Sequence, residues 1–323
     1  MSTVISVHQP GGPEVLTLEE RELAAPGPGQ VALRQTAIGL NFIDTYQRSG
    51  LYPMQTPFVA GNEGAGVITA VGPGVEGLKV GDRVAYQGLS GAYASERLAP
   101  AERLVVLPEG IDERLAAAVL LKGLTAYYLL FKTWAVQKGE TILWHAAAGG
   151  TGQIATQWAR ALGATVIGTA GSAEKLALAK ANGCHHVINY REEDFAARVR
   201  ELTGGRGVDV VYDGVGKATF EGSLDSLRPR GLMVSFGNAS GVVSIPDLVI
   251  LSKKGSLYLT RPTGVHYFAR REDLLEGAAA LFAAIKSGDI KVNIDRTFPL
   301  ERAADAHRAL EQRETTGSVL LLP

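Results

Sequence analysis

The sequence has almost no cysteine and almost no net charge. Cys184 is the only cysteine among 323 residues, which excludes an intramolecular disulfide framework and a zinc cluster built from thiolates. The formal net charge at pH 7 is −1, so the chain has no broad basic field to attract nucleic acid or an anionic membrane. These two absences argue against a disulfide-rich secreted domain and against a nucleic-acid-binding protein.

Long apolar runs and a targeting segment are missing as well. No apolar run reaches the length needed to span a bilayer, and the first twelve residues, MSTVISVHQPGG, have no basic start followed by an apolar core. Hydrophobic residues make up 46% of the chain and charged residues 20%, an ordinary globular composition that argues against long disorder. We expect a soluble, cytoplasmic protein that is long enough for two domains.

The most informative stretch is 141–152, TILWHAAAGGTG, with the helical run that follows it. Residues 141–144 predict a buried parallel strand, and Ile154, Trp158 and Leu162 recur at helical spacing in a helix predicted over 151–162. The turn between them contains small residues only: Ala148, Gly149, Gly150, Thr151 and Gly152. Such a turn lets the backbone approach a pyrophosphate, whose charge meets the unpaired amides of the helix N-terminus. The stretch therefore predicts dinucleotide binding.

Strand-like and helix-like segments alternate from residue 141 onward. The predicted strands are 141–144, 165–169, 187–188, 208–212, 232–236 and 257–260, and the predicted helices between them are 151–162, 173–182, 192–202 and 217–227. Such alternation implies right-handed crossovers and a parallel sheet covered on both faces. Six strands complete a Rossmann unit.

The first third of the chain favours β structure. Glycine and proline interrupt short strand-like runs at 4–7, 30–38, 64–71, 83–86 and 103–107, as expected for a small barrel. A helix is predicted over 111–121. The last third predicts helices over 273–285 and 303–312 and a final strand over 318–322.

Two segments of the β-rich part resemble segments of a known enzyme superfamily. With the glycine turn, 39–46 (GLNFIDTY) and 61–67 (GNEGAGV) make the chain similar to the medium-chain dehydrogenase/reductase superfamily over essentially its whole length. The resemblance implies a discontinuous, mainly β GroES-like domain formed by 1–122 and 264–323. It also implies a Rossmann domain over 123–263, with the cofactor in the cleft between the two.

The departures from the superfamily's pattern concern zinc. The zinc-dependent alcohol dehydrogenases have a cysteine in the first segment and a His-Glu pair in the second, where this chain has Asn41 and then Asn62 followed by Glu63. Asparagine is a poor zinc ligand. The pattern resembles the zinc-free quinone oxidoreductases, the ζ-crystallin-like branch, and we expect Glu63 to be a buried or capping carboxylate and no metal to be bound.

The end of the second predicted strand bears on the choice of cofactor. An NAD site usually has Asp or Glu about 20 residues beyond the glycine turn, and here 168–172 (GTAGS) contains no acid. Ser172 and Lys175 could bind a 2′-phosphate, although Ser172 is also a natural N-cap and Lys175 could be a solvated lysine. The pattern favours NADPH over NADH.

Further cofactor contacts are expected elsewhere in the chain. The resemblance places Tyr190 and Arg313 at the 2′-phosphate and Thr125 near the nicotinamide, although a helix-cap hydroxyl is an equal interpretation of Thr125. The end of the fifth strand should line the nicotinamide cleft through Phe236, Gly237 and Asn238.

The resemblance implies an NADPH-dependent, zinc-independent quinone oxidoreductase. Asn41, Tyr46 and Tyr52 are the polar side chains that the first domain could present to a quinone-like substrate, although each could be an ordinary half-buried residue. The Asn41 amide could hydrogen-bond to the cofactor or to the substrate. An enoyl or alkenal reductase and a non-catalytic NADPH-binding protein, crystallin-like or RNA-binding, remain alternatives. Because 255–260 predicts an open edge of the Rossmann sheet, we expect a homodimer formed through that strand.

Overall fold

A computed structural model of the chain describes residues 1–245 and 247–323. The strands of its first 127 residues are β1 (Ser2–Val7), β2 (Leu16–Arg21), β3 (Gln30–Leu40), β4 (Phe58–Val59), β5 (Glu63–Val71), β6 (Arg83–Gln87), β7 (Glu96–Pro100) and β8 (Val105–Val106). The helices of this part are α1 (Phe42–Ser49) and α2 (Glu113–Tyr127). A π-helical turn, Tyr128–Thr133, continues α2.

Strands and helices alternate in the middle of the chain. The strands there are β9 (Thr141–Trp144), β10 (Thr165–Ala170), β11 (His186–Asn189), β12 (Val208–Asp213), β13 (Leu227–Ser235) and β14 (Tyr258–Thr260). The helices are α3 (Gly150–Ala161), α4 (Ala173–Ala181), α5 (Phe195–Leu202), α6 (Phe220–Ser226), α7 (Val249–Lys253) and α8 (Gly264–Tyr267). The chain ends with α9 (Arg271–Ser287), β15 (Ile294–Pro299), α10 (Ala303–Glu311) and β16 (Ser318–Leu322).

The chain folds into two compact units. Unit 1 contains Met1–Leu124, Phe268–Ala283 and Val292–Pro323. Unit 2 contains Thr125–Tyr267 and Ala284–Lys291. Each unit is therefore assembled from segments that are distant in the sequence.

Unit 2 is built on a six-stranded parallel sheet in the order β11-β10-β9-β12-β13-β14. Leu143 pairs with Ile167 on one side and with Val211 on the other, and Val211 pairs with Met233. All four side chains are fully buried in one apolar row across the sheet. The strand order reverses between β9 and β12, which is the position where open α/β sheets bind ligands. The predicted Rossmann sheet is confirmed.

Unit 1 is mainly β and includes the C-terminal strand. Its larger sheet has the order β15-β16-β3-β5-β6-β8, with β7 also paired to β3, and a second sheet has the order β2-β1-β4. In the antiparallel pair of β16 with β3, Val319 lies opposite Leu40 and Leu321 opposite Ile38, and these side chains belong to the buried core. The end of the chain therefore completes the sheet that its beginning started, as a GroES-like domain requires.

Several predicted element ends were wrong for identifiable reasons. The strand predicted over 103–107 is only Val105–Val106, because Ala101–Arg103 forms a 3-10 turn. The helix predicted from residue 192 begins at Phe195, because the Asp194 carboxylate accepts the amides of Ala196 and Ala197 and caps it. The strands β2, β4, β7 and β15 were not predicted.

One helical run has enough length and apolar character to cross a membrane, which the sequence analysis did not anticipate. It extends over Glu113–Thr133, and 72% of its most apolar window is buried inside the protein. Such burial is typical of a core helix, which passes the same test of length and composition.

Candidate active site

The glycine turn of unit 2 joins β9 to α3. Gly149 occupies the N-cap position of α3, and no side chain caps this helix. A Cβ atom on Gly152 would lie 2.5 Å from the carbonyl oxygen of Ala146, so only glycine fits beside the turn. The amides of the first turn of α3 therefore remain available to an anion, and the backbone can be approached closely. These features fit the pyrophosphate of a dinucleotide.

The ends of β10 and β11 bring together polar groups suited to a phosphate. Ser172 is the N-cap of α4, and its Oγ accepts the amide of Lys175 at 3.4 Å, so the predicted capping interpretation applies. A Cβ on Gly171 would lie 2.7 Å from the Tyr190 hydroxyl and 3.1 Å from Nε of Arg191. Sequence reasoning missed Arg191, although a cation directly after Tyr190 at a strand end was a usable signal. The group fits a 2′-phosphate through its hydroxyls and cations.

The loops after β12 and β13 approach each other closely. The amide of Phe236 donates to the carbonyl oxygen of Asp213 at 2.8 Å, and a Cβ on Gly237 would lie 2.3 Å from the carbonyl oxygen of Gly214. Asn238 is buried behind them. Arg261, which the sequence analysis also missed, donates to the carbonyl oxygen of Gly237 at 3.0 Å. The predicted residues 236–238 thus lie at the carboxyl ends of the strands, beside the switch point.

A buried carboxylate fixes the loop that follows β12. Asp213 is fully buried, and its Oδ1 accepts the amides of Val215 at 2.8 Å and Gly216 at 2.9 Å. Its Oδ2 accepts the hydroxyls of Thr219 at 2.7 Å and Ser223 at 3.0 Å. Because this carboxylate already accepts four hydrogen bonds from the loop and from α6, it fixes the loop and is not available to a ligand.

In unit 1, Asn41 lies between β3 and α1 and is the N-cap residue of α1, in a capping box with Asp44. Its backbone amide donates to Oδ2 of Asp44 at 2.9 Å, and its Nδ2 donates to Oε2 of Glu63 at 2.8 Å. Glu63 is fully buried and also accepts the Leu121 amide at 2.6 Å and the Lys122 ammonium at 3.3 Å. Glu63 is therefore the buried carboxylate that the sequence favoured. Among the described residues, no group of three His, Cys, Asp or Glu side chains is placed to hold a metal ion.

Asp44 is the second buried carboxylate beside Asn41. It accepts Nδ2 of Asn62 at 2.7 Å and the hydroxyl of Tyr93 at 3.2 Å. Burial raises the pKa of Asp44 to about 6, and the hydrogen bonds from Asn62, from the Asn41 backbone and from Tyr93 act in the opposite direction. All of these partners are donors, an arrangement that suits a carboxylate acting as an acceptor.

A chain of buried hydrogen bonds extends from Asp44 toward the surface. The Tyr93 hydroxyl lies 2.9 Å from Nε2 of His307, and Nδ1 of His307 lies 3.1 Å from Nη1 of Arg48. Arg48 in turn forms a two-pronged ion pair with Glu311, with N···O distances of 2.7 and 3.1 Å. Burial lowers the pKa of His307 to about 3, and the positive charge of Arg48 adds to this shift. This chain of contacts anchors α1 to α10.

The two predicted tyrosines lie together. Tyr46 is on α1, and the Tyr52 amide donates to the Tyr46 carbonyl oxygen at 3.0 Å. Their rings meet edge to face with centroids 5.3 Å apart, and both side chains are half-buried. Each tyrosine thus has a fixed ring and a partly accessible side chain.

The remaining predicted residues are placed as follows. Thr125 lies inside α2, so its interpretation as a helix-cap hydroxyl was wrong. Arg313 follows α10 in unit 1 with a left-handed backbone (φ 61°).

Models of two protein families match the chain. The model of the alcohol dehydrogenase GroES-like domain matches residues 27–109, and the model described as zinc-binding dehydrogenase matches residues 150–282.

Relatives match the chain over nearly its whole length. It is 55% identical over 315 residues to a quinone oxidoreductase of Pseudomonas aeruginosa, covering 97% of each chain. It is 49% identical over 326 residues to a 2-haloacrylate reductase of a Burkholderia species, covering 98% of each chain. The crystal structure of Escherichia coli quinone oxidoreductase complexed with NADPH is similar with a TM-score of 0.98 at 51% identity, covering 99% of this chain and 100% of that chain. The chain belongs to the zinc-free quinone oxidoreductase branch of the medium-chain dehydrogenase/reductase superfamily.

Proposed function

We propose that the protein is an NADPH-dependent, zinc-independent quinone oxidoreductase. The observation that carries the proposal is the group at the ends of β10 and β11, where Ser172, Tyr190 and Arg191 surround a glycine and residues 168–172 contain no carboxylate. This arrangement is suited to a 2′-phosphate and would leave NADH without the usual acidic partner for its ribose. Relatives that are quinone oxidoreductases, one of them complexed with NADPH, support the choice of acceptor and cofactor.

Each unit has a separate part in this proposal. Unit 2 would hold the pyrophosphate at the glycine turn, the 2′-phosphate near Tyr190, and the nicotinamide half at 236–238. Unit 1 would present Tyr46 and Tyr52 to the substrate. We assign the NADPH-binding domain to 123–263 and the substrate domain to 1–122 and 264–323, with Lys175, Thr125 and Arg313 as further cofactor contacts.

Hydride transfer from NADPH to a quinone requires little catalysis by protein side chains. NADPH supplies a hydride when bound, and a quinone is already electrophilic. The hydroxyls of Tyr46 and Tyr52 can donate hydrogen bonds to the oxygen that becomes negatively charged, and neither tyrosine has to ionise for this. Water can supply the protons of the hydroquinone. Asn41 contacts the cofactor in this scheme.

A conjugated C=C reductase is the second candidate, because one relative at 49% identity is a 2-haloacrylate reductase. A conjugated double bond accepts hydride with the same geometry as a quinone. Its product differs, since the carbon skeleton is reduced and the carbonyl group is kept.

NADPH oxidation measured with separate acceptors tests the proposal. We expect fast oxidation with a simple quinone, slower oxidation with an enone or a 2-haloacrylate, and none without an acceptor. Faster turnover of the enone or haloacrylate, with the saturated product identified, would favour the second candidate. Binding of NADPH without turnover of any acceptor would instead leave a non-catalytic NADPH-binding protein.

We also propose a homodimer in the cytoplasm, where NADPH is available. The strand β14 lies at one edge of the parallel sheet, and large apolar side chains around it are exposed. Exposed fractions are 61% for Tyr258, 69% for Leu248 and 71% for Val265. An open edge beside apolar surface is a place where a second subunit would be expected.

A further inference from the structure

The turn between β9 and α3 contains one residue in an unfavourable backbone conformation. Ala146 has a φ of 53°, in the left-handed region that residues other than glycine seldom adopt, and it is exposed. Its carbonyl oxygen accepts the amide of Gly149 at 2.9 Å, which closes the turn in front of α3. A strained residue of this kind persists where the contacts around it enforce its conformation.

The two neighbours of Ala146 in the chain are both held by Thr169 of β10. The carbonyl oxygen of Thr169 accepts the amide of Ala147 at 3.0 Å, and its hydroxyl lies 2.9 Å from Nδ1 of His145. His145 is only 1% exposed, and its Nε2 lies 2.9 Å from the hydroxyl of Ser223 on α6. The imidazole therefore ties the end of β9 to a strand and to a helix, directly before the left-handed residue.

The hydrogen-bond partners of His145 define which ring nitrogen carries its proton. The hydroxyl of Ser223 donates to Oδ2 of Asp213 at 3.0 Å, and a serine hydroxyl has only one hydrogen. Ser223 can therefore only accept from His145, so Nε2 carries the proton and Nδ1 accepts from the Thr169 hydroxyl. Burial lowers the pKa of His145, and the negative charge of Asp213 acts in the opposite direction. The ring is thus neutral at neutral pH.

We propose that His145, with its proton on Nε2, is a positioning residue that holds Ala146 in the left-handed conformation and so shapes the glycine turn for the cofactor. This inference rests on the proposed function, because it requires that the turn holds the pyrophosphate of NADPH. The pyrophosphate is common to NADPH and NADH, so His145 should matter equally for both. Lys175, by contrast, is expected to distinguish them.

Cofactor titrations of a double-mutant cycle test the link between His145 and Ala146. His145→Leu should lower the affinities for NADPH and NADH by the same factor, about fivefold to thirtyfold, which corresponds to the usual penalty of one left-handed residue. Adding Ala146→Gly should recover most of this loss, because glycine adopts a positive φ without strain. The gain from Ala146→Gly should be larger in His145→Leu than in the wild type. Equal effects of Ala146→Gly in both backgrounds would overturn the proposal.

A milder variant decides the matter even where His145→Leu fails to fold. Ser223→Ala removes the acceptor of the Nε2 proton and should lower both cofactor affinities by about twofold to tenfold. Ser226→Ala is the matched control, because Ser226 is a fully buried serine of the same helix whose hydroxyl donates to the Gly222 carbonyl oxygen at 2.7 Å. It should leave both affinities unchanged. Equal losses in the two serine variants, or no loss in Ser223→Ala, would contradict the role of His145.

The tautomer of His145 is a signature that a purely space-filling residue would not have. In nitrogen NMR spectra of wild-type protein labelled at its six histidines, His145 should be protonated at Nε2 and unprotonated at Nδ1 at pH 7. The signals missing from a variant at residue 145 identify it. The opposite tautomer or a doubly protonated ring would overturn the proposal. Because none of these measurements needs an acceptor, a wild-type protein that binds NADPH but reduces no quinone would contradict the proposed function alone.

Discussion

His307 shows how one buried group can make the stability of the fold depend on pH. Arg48 donates to Nδ1 of His307, so Nε2 carries the proton and donates to the Tyr93 hydroxyl, which donates to Asp44. Every member of this chain therefore has one defined direction of donation. A second proton on His307 would remove the acceptor for Arg48 and place two cations side by side in a buried site.

The two shifted pKa values in this chain act in opposite directions on stability. His307 has a folded pKa of about 3, below its ordinary value of 6.5, so the unfolded chain binds the proton first and stability falls as the pH drops below 6.5. Asp44 has a folded pKa of about 6, above its ordinary value of 3.8, so the folded state binds the proton first and stability rises as the pH drops from 6 toward 3.8. Between pH 6 and pH 4 the two contributions should largely cancel.

Substituting His307 should expose the contribution of Asp44. In His307→Gln, an amide can still accept from Arg48 and donate to Tyr93, but it does not titrate. We expect the free energy of unfolding of the variant to gain about 1.4 kcal/mol per pH unit relative to the wild type as the pH falls from 6 to 4. Urea denaturation across this range measures the difference, and parallel curves for the two proteins would contradict the prediction. Asp44→Asn is the companion variant, with the opposite change relative to the wild type.

Lys175 is the residue on which cofactor choice can be tested. Charge-assisted hydrogen bonds are worth about 1.5–3 kcal/mol. We therefore expect Lys175→Ala to lower the affinity for NADPH by about tenfold to a hundredfold and to leave the affinity for NADH nearly unchanged. Fluorescence titration with both cofactors measures this, with Lys286→Ala, an exposed lysine of unit 2, as the control. Equal losses for NADPH and NADH would show that Lys175 does not bind the 2′-phosphate.

The tyrosine pair tests the mechanism itself. If Tyr46 and Tyr52 only donate hydrogen bonds, Tyr46→Phe and Tyr52→Phe should each lower the rate of quinone reduction by no more than about tenfold to a hundredfold. Steady-state rates measure this, and a loss far beyond that range would mean that one tyrosine is the required proton donor.

Activity should also survive chelation and dialysis, and activity that returned only with zinc would contradict the mechanism.

At the scale of elements, the sequence predicts best what depends on periodicity and on single turns. The six parallel strands, the strand–turn–helix unit at the glycine turn, and the final strand β16 follow from local patterns. Their bounds are close to the predicted ones except at β13, which begins at Leu227, five residues before its predicted start at 232. The strand β2, with the sequence LTLEER, was missed because it is half-exposed and charged and carries no clear apolar signal. Arg261 and the contacts that join Asn41, Glu63 and Lys122 were not predicted, because these contacts connect distant parts of the sequence and no local pattern reports them.

The turn between β9 and α3 gives a prediction at this scale. A methyl group on Gly152 would meet the Ala146 carbonyl oxygen at 2.5 Å and backbone atoms of Ala147 at 2.8 Å. These are backbone atoms that cannot rotate away, so Gly152→Ala should displace the turn. The affinities for NADPH and for NADH should both fall, by about tenfold or more. The contrast with Lys175→Ala identifies the pyrophosphate as the group affected. Gly139→Ala is the control for a glycine change in a surface turn, where the backbone is left-handed (φ 89°) and a Cβ would meet nothing within 4 Å. The change strains that turn and costs some stability, but it should leave cofactor affinity unchanged. Unaltered affinity in Gly152→Ala would mean that the turn does not hold the pyrophosphate.

At the scale of the whole molecule, the parallel sheet has two edges that differ in character. The strand β11 forms one edge and is followed by the charged run REED, residues 191–194. The strand β14 forms the other edge, and the exposed apolar residues Val242, Leu248, Val249, Tyr258 and Val265 lie in the segments on either side of it or within it. Charge protects an edge from pairing, while apolar surface favours it. The β14 edge is therefore the expected site of self-association.

A two-fold axis at this edge would place the same strand of both subunits next to each other. Light scattering at micromolar concentration should then give twice the monomer mass of 34.1 kDa. Tyr258→Glu would bring two like charges together at the axis and should yield monomers that keep their affinity for NADPH. Val106→Glu, a change at an exposed apolar residue of unit 1, should leave the dimer intact. A wild-type protein that scatters as a monomer would reject the dimer, and a Tyr258→Glu protein that stays dimeric would move the interface to another surface.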